Sequence, residues 1–359
     1  MFQADGRRNL GRRGEIAMRI ARAFVGGAAA VLALALAAGP GEAGQEKVYQ
    51  AAAAVGNNMN HVPSFVGVEK GIFLKHGVDL KLKVLATGQE MTKAVQAGEA
   101  QFLGAAYSNF PLGVERGFKG KGVVGLMGDR TGKYSDEPVA IVTRKGTGIT
   151  KLQDLAGKKV GTPIGGTGHE YLGVALKRAG IPADKVAVLN VPPGNSVSAL
   201  AGGQVDAVSV WEPYGTLMLE KVPEAVLVQR GGGFIGYFID MSTLVDVMEK
   251  QPDMVYRYVV ALAEASQYTR QHLDEAAEIA TRWIPGLEPG VAKKAIRNMH
   301  YDPRITKYTL ESWDENVRVL VEQKKLRQPM PWTQGVELKL VERAQKEHPQ
   351  LFSDLKPLP

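Results

Sequence analysis

A chain of 359 residues, 45% hydrophobic and 23% charged, is long enough for two compact domains of about 100–200 residues each. Its formal charge is +7, but residues 1–43 hold six Arg against Asp5, Glu15 and Glu42, which leaves a mild +4 for the remainder. With no Lys/Arg run longer than two or three residues there, nothing marks a nucleic-acid surface, and zero cysteines exclude both a lipidated N-terminal cysteine and a disulfide framework.

The N-terminus reads as an export signal. Arg19 and Arg22 precede an apolar run from Ala23 to Ala38, which is shorter than the roughly 20 residues a bilayer requires. Gly41 and Ala43 then supply the small side chains of a cleavage site, so the mature chain is expected to begin near Gly44. Arg7-Arg8-Asn9-Leu10 leaves a twin-arginine route open, although the Sec route is the first reading and Met18 is an alternative start. An exported chain without cysteine or membrane anchor fits a freely diffusing, monomeric protein of a Gram-negative periplasm.

From Glu46 onward the periodicity alternates between strand and helix, giving βαβαβ twice. Strands are expected at 48–55, 79–85 and 101–105, with helices at 62–70 and 89–97 between them. The second copy has strands at 159–162, 186–191 and 205–210, with a helix at 169–179 and another running from the loop 192–195 to Gly202. This spacing predicts parallel sheets with helical crossovers. Thr87-Gly88-Gln89-Glu90 and Thr167-Gly168-His169-Glu170 both fit a capping box at a helix start. Extended stretches at 138–143 and 233–239 are expected to carry the chain to a second lobe and back. The lobes are then 44–140, 141–235 and a return at 236–359. That return is mostly helical, with amphipathic helices at 254–271, assigned to the first lobe, and 311–323.

In an open parallel sheet, ligands bind beyond the carboxyl ends of the strands. The first-lobe loops there offer Asn60, His61, Thr87, Gly88, Tyr107, Ser108 and Asn109. The second-lobe loops offer Gly165, Gly166, Thr167, Gly168, His169, Asn195, Trp211 and Glu212, and Tyr237 lies on the return. Small residues at a helix start let a polar or anionic group approach unpaired N–H groups, although such turns also occur without ligands. His61 and His169 hold equivalent first-loop positions, where packing or capping is the commoner role. Trp211 and Glu212 at a strand end can stack on and hydrogen-bond a ligand, or cover the core. The six loops contain no Arg or Lys; Arg130 and Arg144 lie near the first crossover. No third metal ligand, no dinucleotide fingerprint and no nucleophile motif accompanies these residues, so neither a metal nor a cofactor is expected.

The segments HVPSFVGVEKGIF (61–73), AVQAGEA (94–100), DLAGKKVG (154–161), ALAGGQVDA (199–207) and WEPY (211–214) span most of the mature chain. In these the chain resembles the solute-binding proteins of ABC importers for nitrate, sulfonates, taurine and thiamine-pyrimidine precursors, a group related to fungal thiamine-pyrimidine synthase. The resemblance implies a type II periplasmic-binding fold, closure on a small polar or anionic ligand, and delivery to a permease with a cytoplasmic ATPase. It leaves open whether that ligand is a sulfonate, nitrate, a taurine-like molecule or a pyrimidine. A synthase-like enzyme is the rival reading, opposed by the absence of cysteine; a ligand-sensing partner of a receptor is another.

Overall fold

Short apolar runs bounded by glycine and polar turns form ten strands in a computed structural model that describes residues 47–108 and 110–358. The expected signal peptide, its cleavage point, the first-lobe start at Gly44, and Asn109 lie outside the described residues. Strands β1 (Tyr49–Gly56), β2 (Val78–Leu85), β3 (Phe102–Ala106) and β4 (Gly120–Met127) precede β5 (Val139–Arg144). Then follow β6 (Lys159–Thr162), β7 (Ala187–Asn190), β8 (Ala207–Trp211), β9 (Ala225–Arg230) and β10 (Ile239–Leu244).

They make two five-stranded sheets of one plan, β2-β1-β3-β10-β4 and β7-β6-β8-β5-β9. In each, three parallel strands are followed by a strand running the other way: β10 lies antiparallel between β3 and β4, and β5 between β8 and β9. Central strands are buried on both faces, which accounts for the unbroken apolar run of β5, Val-Ala-Ile-Val, rather than an alternating one. The alanines of β1 serve a related end, since their small side chains let flanking helices approach the sheet closely.

Two segments, 128–138 and 231–238, link the sheets. The second was expected to be extended from Gly233, but only Ile239 enters a strand. Gly231, Gly232 and Gly233 hold φ of 54°, 108° and 67°, a left-handed path that bulkier residues resist. Instead of pairing as strands, the links are tied by Asp136, whose carboxylate accepts from the N–H groups of Gly233 (3.1 Å), Phe234 (2.6 Å) and Ile235 (3.2 Å).

The C-terminal helices cover the first sheet. Helix Pro252–Gln271 packs on Val62–Glu69, and its Tyr258 ring stacks on Phe102 of β3 at 3.7 Å. Helix Lys307–Glu322 drives Trp313 into the core beside Tyr107 and Phe110, and Gly335 leaves the space that ring fills. Full burial of side chains this large stabilises the fold by roughly 1.5–3 kcal/mol each. Arg130, wholly buried, bonds Asp240 at the head of β10 (2.8 Å) and so pins both crossover ends to the first sheet. Among the described residues no helix is long and apolar enough to cross a membrane.

Candidate functional site

Beyond the carboxyl ends of both sets of parallel strands lies a cleft of about 360 Å³. Each wall is built by a strand-to-helix turn. On the first side Asn58 caps the turn Met59–His61, accepting from the Asn60 N–H at 3.1 Å, and Pro63 starts the following helix. Asn60 is thereby held with its Nδ2 donating to the Tyr237 hydroxyl at 2.8 Å.

His61 rests on the ends of β1 and β3, where glycines make room for it. A Cβ on Gly104 would sit 2.1 Å from the His61 Cε1, and one on Gly56 would sit 2.9 Å from its Cδ2. Burial holds the imidazole neutral, pushing its pKa down to about 3. The helix after β2 opens with the expected capping box, Thr87 Oγ1 accepting from the Glu90 N–H and the Glu90 carboxylate from the Thr87 N–H.

The second wall departs from expectation. Thr167 does not cap its helix; Gly166 occupies the cap position and no side chain bonds there. The chain is turned one residue earlier, with Gly165 at φ 80°, and the His169 Nδ1 accepts from the Gly165 N–H at 3.1 Å. The Thr167 hydroxyl is thereby free to meet Ser108 Oγ across the cleft at 3.0 Å. Trp211 lies beside Gly166, whose Cβ would stand 3.5 Å from the indole ring.

Nine of the named residues line the cleft: Asn60, His61, Thr87, Gly88, Gly165, Gly166, Thr167, Trp211 and Tyr237. Ser108 reaches its edge through Thr167. Others serve the frame instead. Tyr107 is buried and donates to Asp240, with burial raising its pKa well above the usual range. Gly168 packs on β8, where a Cβ would meet the Ser209 carbonyl at 2.5 Å. His169 folds back on its own loop, and Asn195 is exposed with no capping bond. Glu212 is fully buried, paired with Arg230 and bonded to Thr216 and Asn298. Arg130 and Arg144 do not line the cleft either; the Arg144 Nε donates to the Leu200 carbonyl.

The cleft also uses Gly104, Ile164, Asn190 and Ile239, which sequence reasoning did not select. Gly104 carried a usable signal, since a glycine inside the apolar strand Phe-Leu-Gly-Ala-Ala marks close approach of another group. Further bonds join the walls: the Tyr214 hydroxyl donates to the Asn57 carbonyl (3.1 Å) and the Met59 N–H to the Glu212 carbonyl (3.3 Å). Within this closed arrangement three lining side chains keep a buried polar atom without a partner: Asn60 Oδ1, His61 Nδ1 and Trp211 Nε1. Buried polar atoms are seldom left so, and these three belong to residues of the two facing walls.

Two matched sheets with a polar cleft at their carboxyl ends define a periplasmic-binding-protein fold. A ligand-binding component of an ABC-type import system from Staphylococcus aureus superposes with a TM-score of 0.71 at 15% identity, covering 82% of this chain and 99% of that one. Residues 58–276 match the family described as NMT1/THI5 like, and the chain belongs to it. A binding protein of Brucella abortus is 26% identical over 230 residues, 61% of this chain, and the chain spans 66% of that relative's length. An aliphatic sulfonates-binding protein of Bacillus subtilis is 25% identical over 250 residues, 68% of this chain and 73% of that protein. Binding-protein names predominate among the sequence relatives, with a pyrimidine phosphate synthase of Legionella pneumophila also among them, and a desulfurization enzyme shares the fold at 16% identity with a TM-score of 0.62.

Proposed function

We propose that the chain is a periplasmic solute-binding protein that captures a small polar organic molecule in this cleft and hands it to the permease of an ABC importer with its ATPase. The observation that carries this reading is the set of unpartnered atoms on Asn60, His61 and Trp211, contributed from both walls of one cleft. A ligand bonding all three would bridge the wall beyond β1 and β3 with the wall beyond β8. Closure would then be favoured only with ligand present, which a transporter can read as occupancy.

Binding rather than catalysis is supported by the state of His61, which is neutral and bonded to no hydroxyl or carboxylate that it could activate. Names of relatives point to sulfonates, taurine and pyrimidine precursors as solutes to try. A thermal-shift screen of the chain against nitrate, alkanesulfonates, taurine, aromatic carboxylates and pyrimidines tests the reading, because a ligand that binds only the folded state raises the melting temperature. A rise with at least one solute is expected; no rise with any would oppose it.

A further inference from the structure

We propose that the solute this cleft accepts is electrically neutral and carries both a hydrogen-bond donor and an acceptor, as an amide, lactam or urea group does. The inference rests on the solute-binding reading above and deepens it. No Lys or Arg is among the described residues that line the cleft, and the one formal charge there is the carboxylate of Glu90. That carboxylate is held inward, accepting from the N–H groups of Ala86 (2.9 Å) and Thr87 (3.0 Å), so it serves its own helix. His61 supplies no cation, because burial between the glycine-lined strand ends keeps the ring uncharged at any ordinary pH.

Helix starts are the remaining source of positive potential: the first-turn N–H groups of Gly88 and Gln89 at one, and of Thr167 and Gly168 at the other, lie outside their helices' own hydrogen-bond ladders. At the first, Thr87 and Glu90 close the capping box and place a negative charge against the dipole. At the second, the Gly165 and Gly166 N–H groups already donate, to His169 Nδ1 and to the Pro163 carbonyl. An anion entering this cleft would have those first-turn N–H groups but no side-chain counter-charge to replace its hydration, a loss that low-polarity surroundings penalise. Ile164, Ile239, Met91, Pro192 and Pro193 supply those surroundings.

The unpartnered atoms state what the solute must bring. With Nδ2 of Asn60 committed to Tyr237, its Oδ1 requires a donor, while the indole Nε1–H of Trp211 requires an acceptor. The neutral imidazole Nδ1 takes either role according to its tautomer. A sulfonate or nitrate offers acceptors only and would set oxygen against Asn60 Oδ1. A neutral group with N–H beside C=O answers both ends.

The test is a binding screen of the whole chain with isosteric sets that differ in charge alone. Benzamide, benzoate and benzamidine form one set and benzenesulfonamide with benzenesulfonate another, extended to aliphatic amide and acid pairs, with taurine and nitrate as further anions. Melting shift and tryptophan fluorescence report occupancy, and each hit is titrated at about 20 and about 500 mM NaCl, where surface charge effects are little and strongly screened. The expected result is that neutral members bind at least tenfold tighter than their charged isosteres, with a Kd unchanged by salt. Acids or amidines binding as tightly as the amides would overturn the inference while leaving solute binding intact. Binding by no member of any set would remove the solute-binding reading, and this inference with it.

Discussion

Replacing Gly104 with alanine adds one methyl group at the point where β3 supports the ring of His61. The new Cβ would stand 2.1 Å from Cε1 and 2.9 Å from Nδ1, far inside contact distance, and the ring is buried on the neighbouring strand by Gly56. The imidazole must move toward the cleft or β3 must shift. Overpacking of this kind costs about 1–3 kcal/mol, which at about 2–4 °C per kcal/mol lowers the melting temperature by roughly 2–12 °C. Solute affinity should fall with it, because His61 Nδ1 and the adjoining Asn60 Oδ1 lose their places. Urea unfolding of G104A, H61A and the double variant forms a cycle: removing the ring abolishes the clash, so the double variant should be more stable than the two single losses added together. Additive losses, or a G104A protein with wild-type melting temperature and unchanged affinity, would refute the claim that glycine makes the seat for His61.

Asp240→Ala should destabilise the chain by about 3–5 kcal/mol, read from its urea midpoint, because Arg130 is left charged and buried without its partner. Burial lifts Glu170 to about 7, against an unfolded value of about 4.3, so the folded chain holds a proton that the unfolded chain has lost. Its stabilising contribution is full below about pH 4.3 and is lost as pH rises toward 7, so E170Q should melt higher than the parent at pH 8 and close to it at pH 4. For His61 the sign is opposite: a lowered value favours the folded state above the unfolded pKa of about 6.5 and withdraws that support as pH falls toward 3. Between pH 8 and 5 the folded ring stays neutral, so titrations of an uncharged solute should return one affinity across that window; a step near pH 6.5 would contradict the buried, neutral imidazole.

Much of this architecture is legible in the chain because parallel sheets announce themselves: β6 coincides with its expected bounds, and Thr87-Gly88-Gln89-Glu90 forms the box its residues imply. The second helix start failed for a physical reason. Thr167 and Glu170 have the spacing of a box, but Gly165 with its positive φ lets the chain turn one residue sooner, and Ser108 competes for the threonine hydroxyl. Tyr107 and Glu212 show a second limit. Both stand at strand ends where ligands bind, yet their partners, Asp240 and Arg230, come from the crossover ends far along the chain. No local pattern records such long-range pairing. Ile164, Asn190 and Ile239 were passed over because an ordinary side chain becomes part of a site only through where the fold carries it.

Isothermal titration of the best solute from the charge-matched screen, against the parent chain and against N60A and W211A, shows whether the solute sits between Asn60 and Trp211. One molecule bound per chain is expected, with a Kd raised about tenfold or more in each variant, as loss of a buried hydrogen bond of about 1.5 kcal/mol requires. Saturable binding with the same Kd in both variants would place the solute elsewhere and contradict that placement.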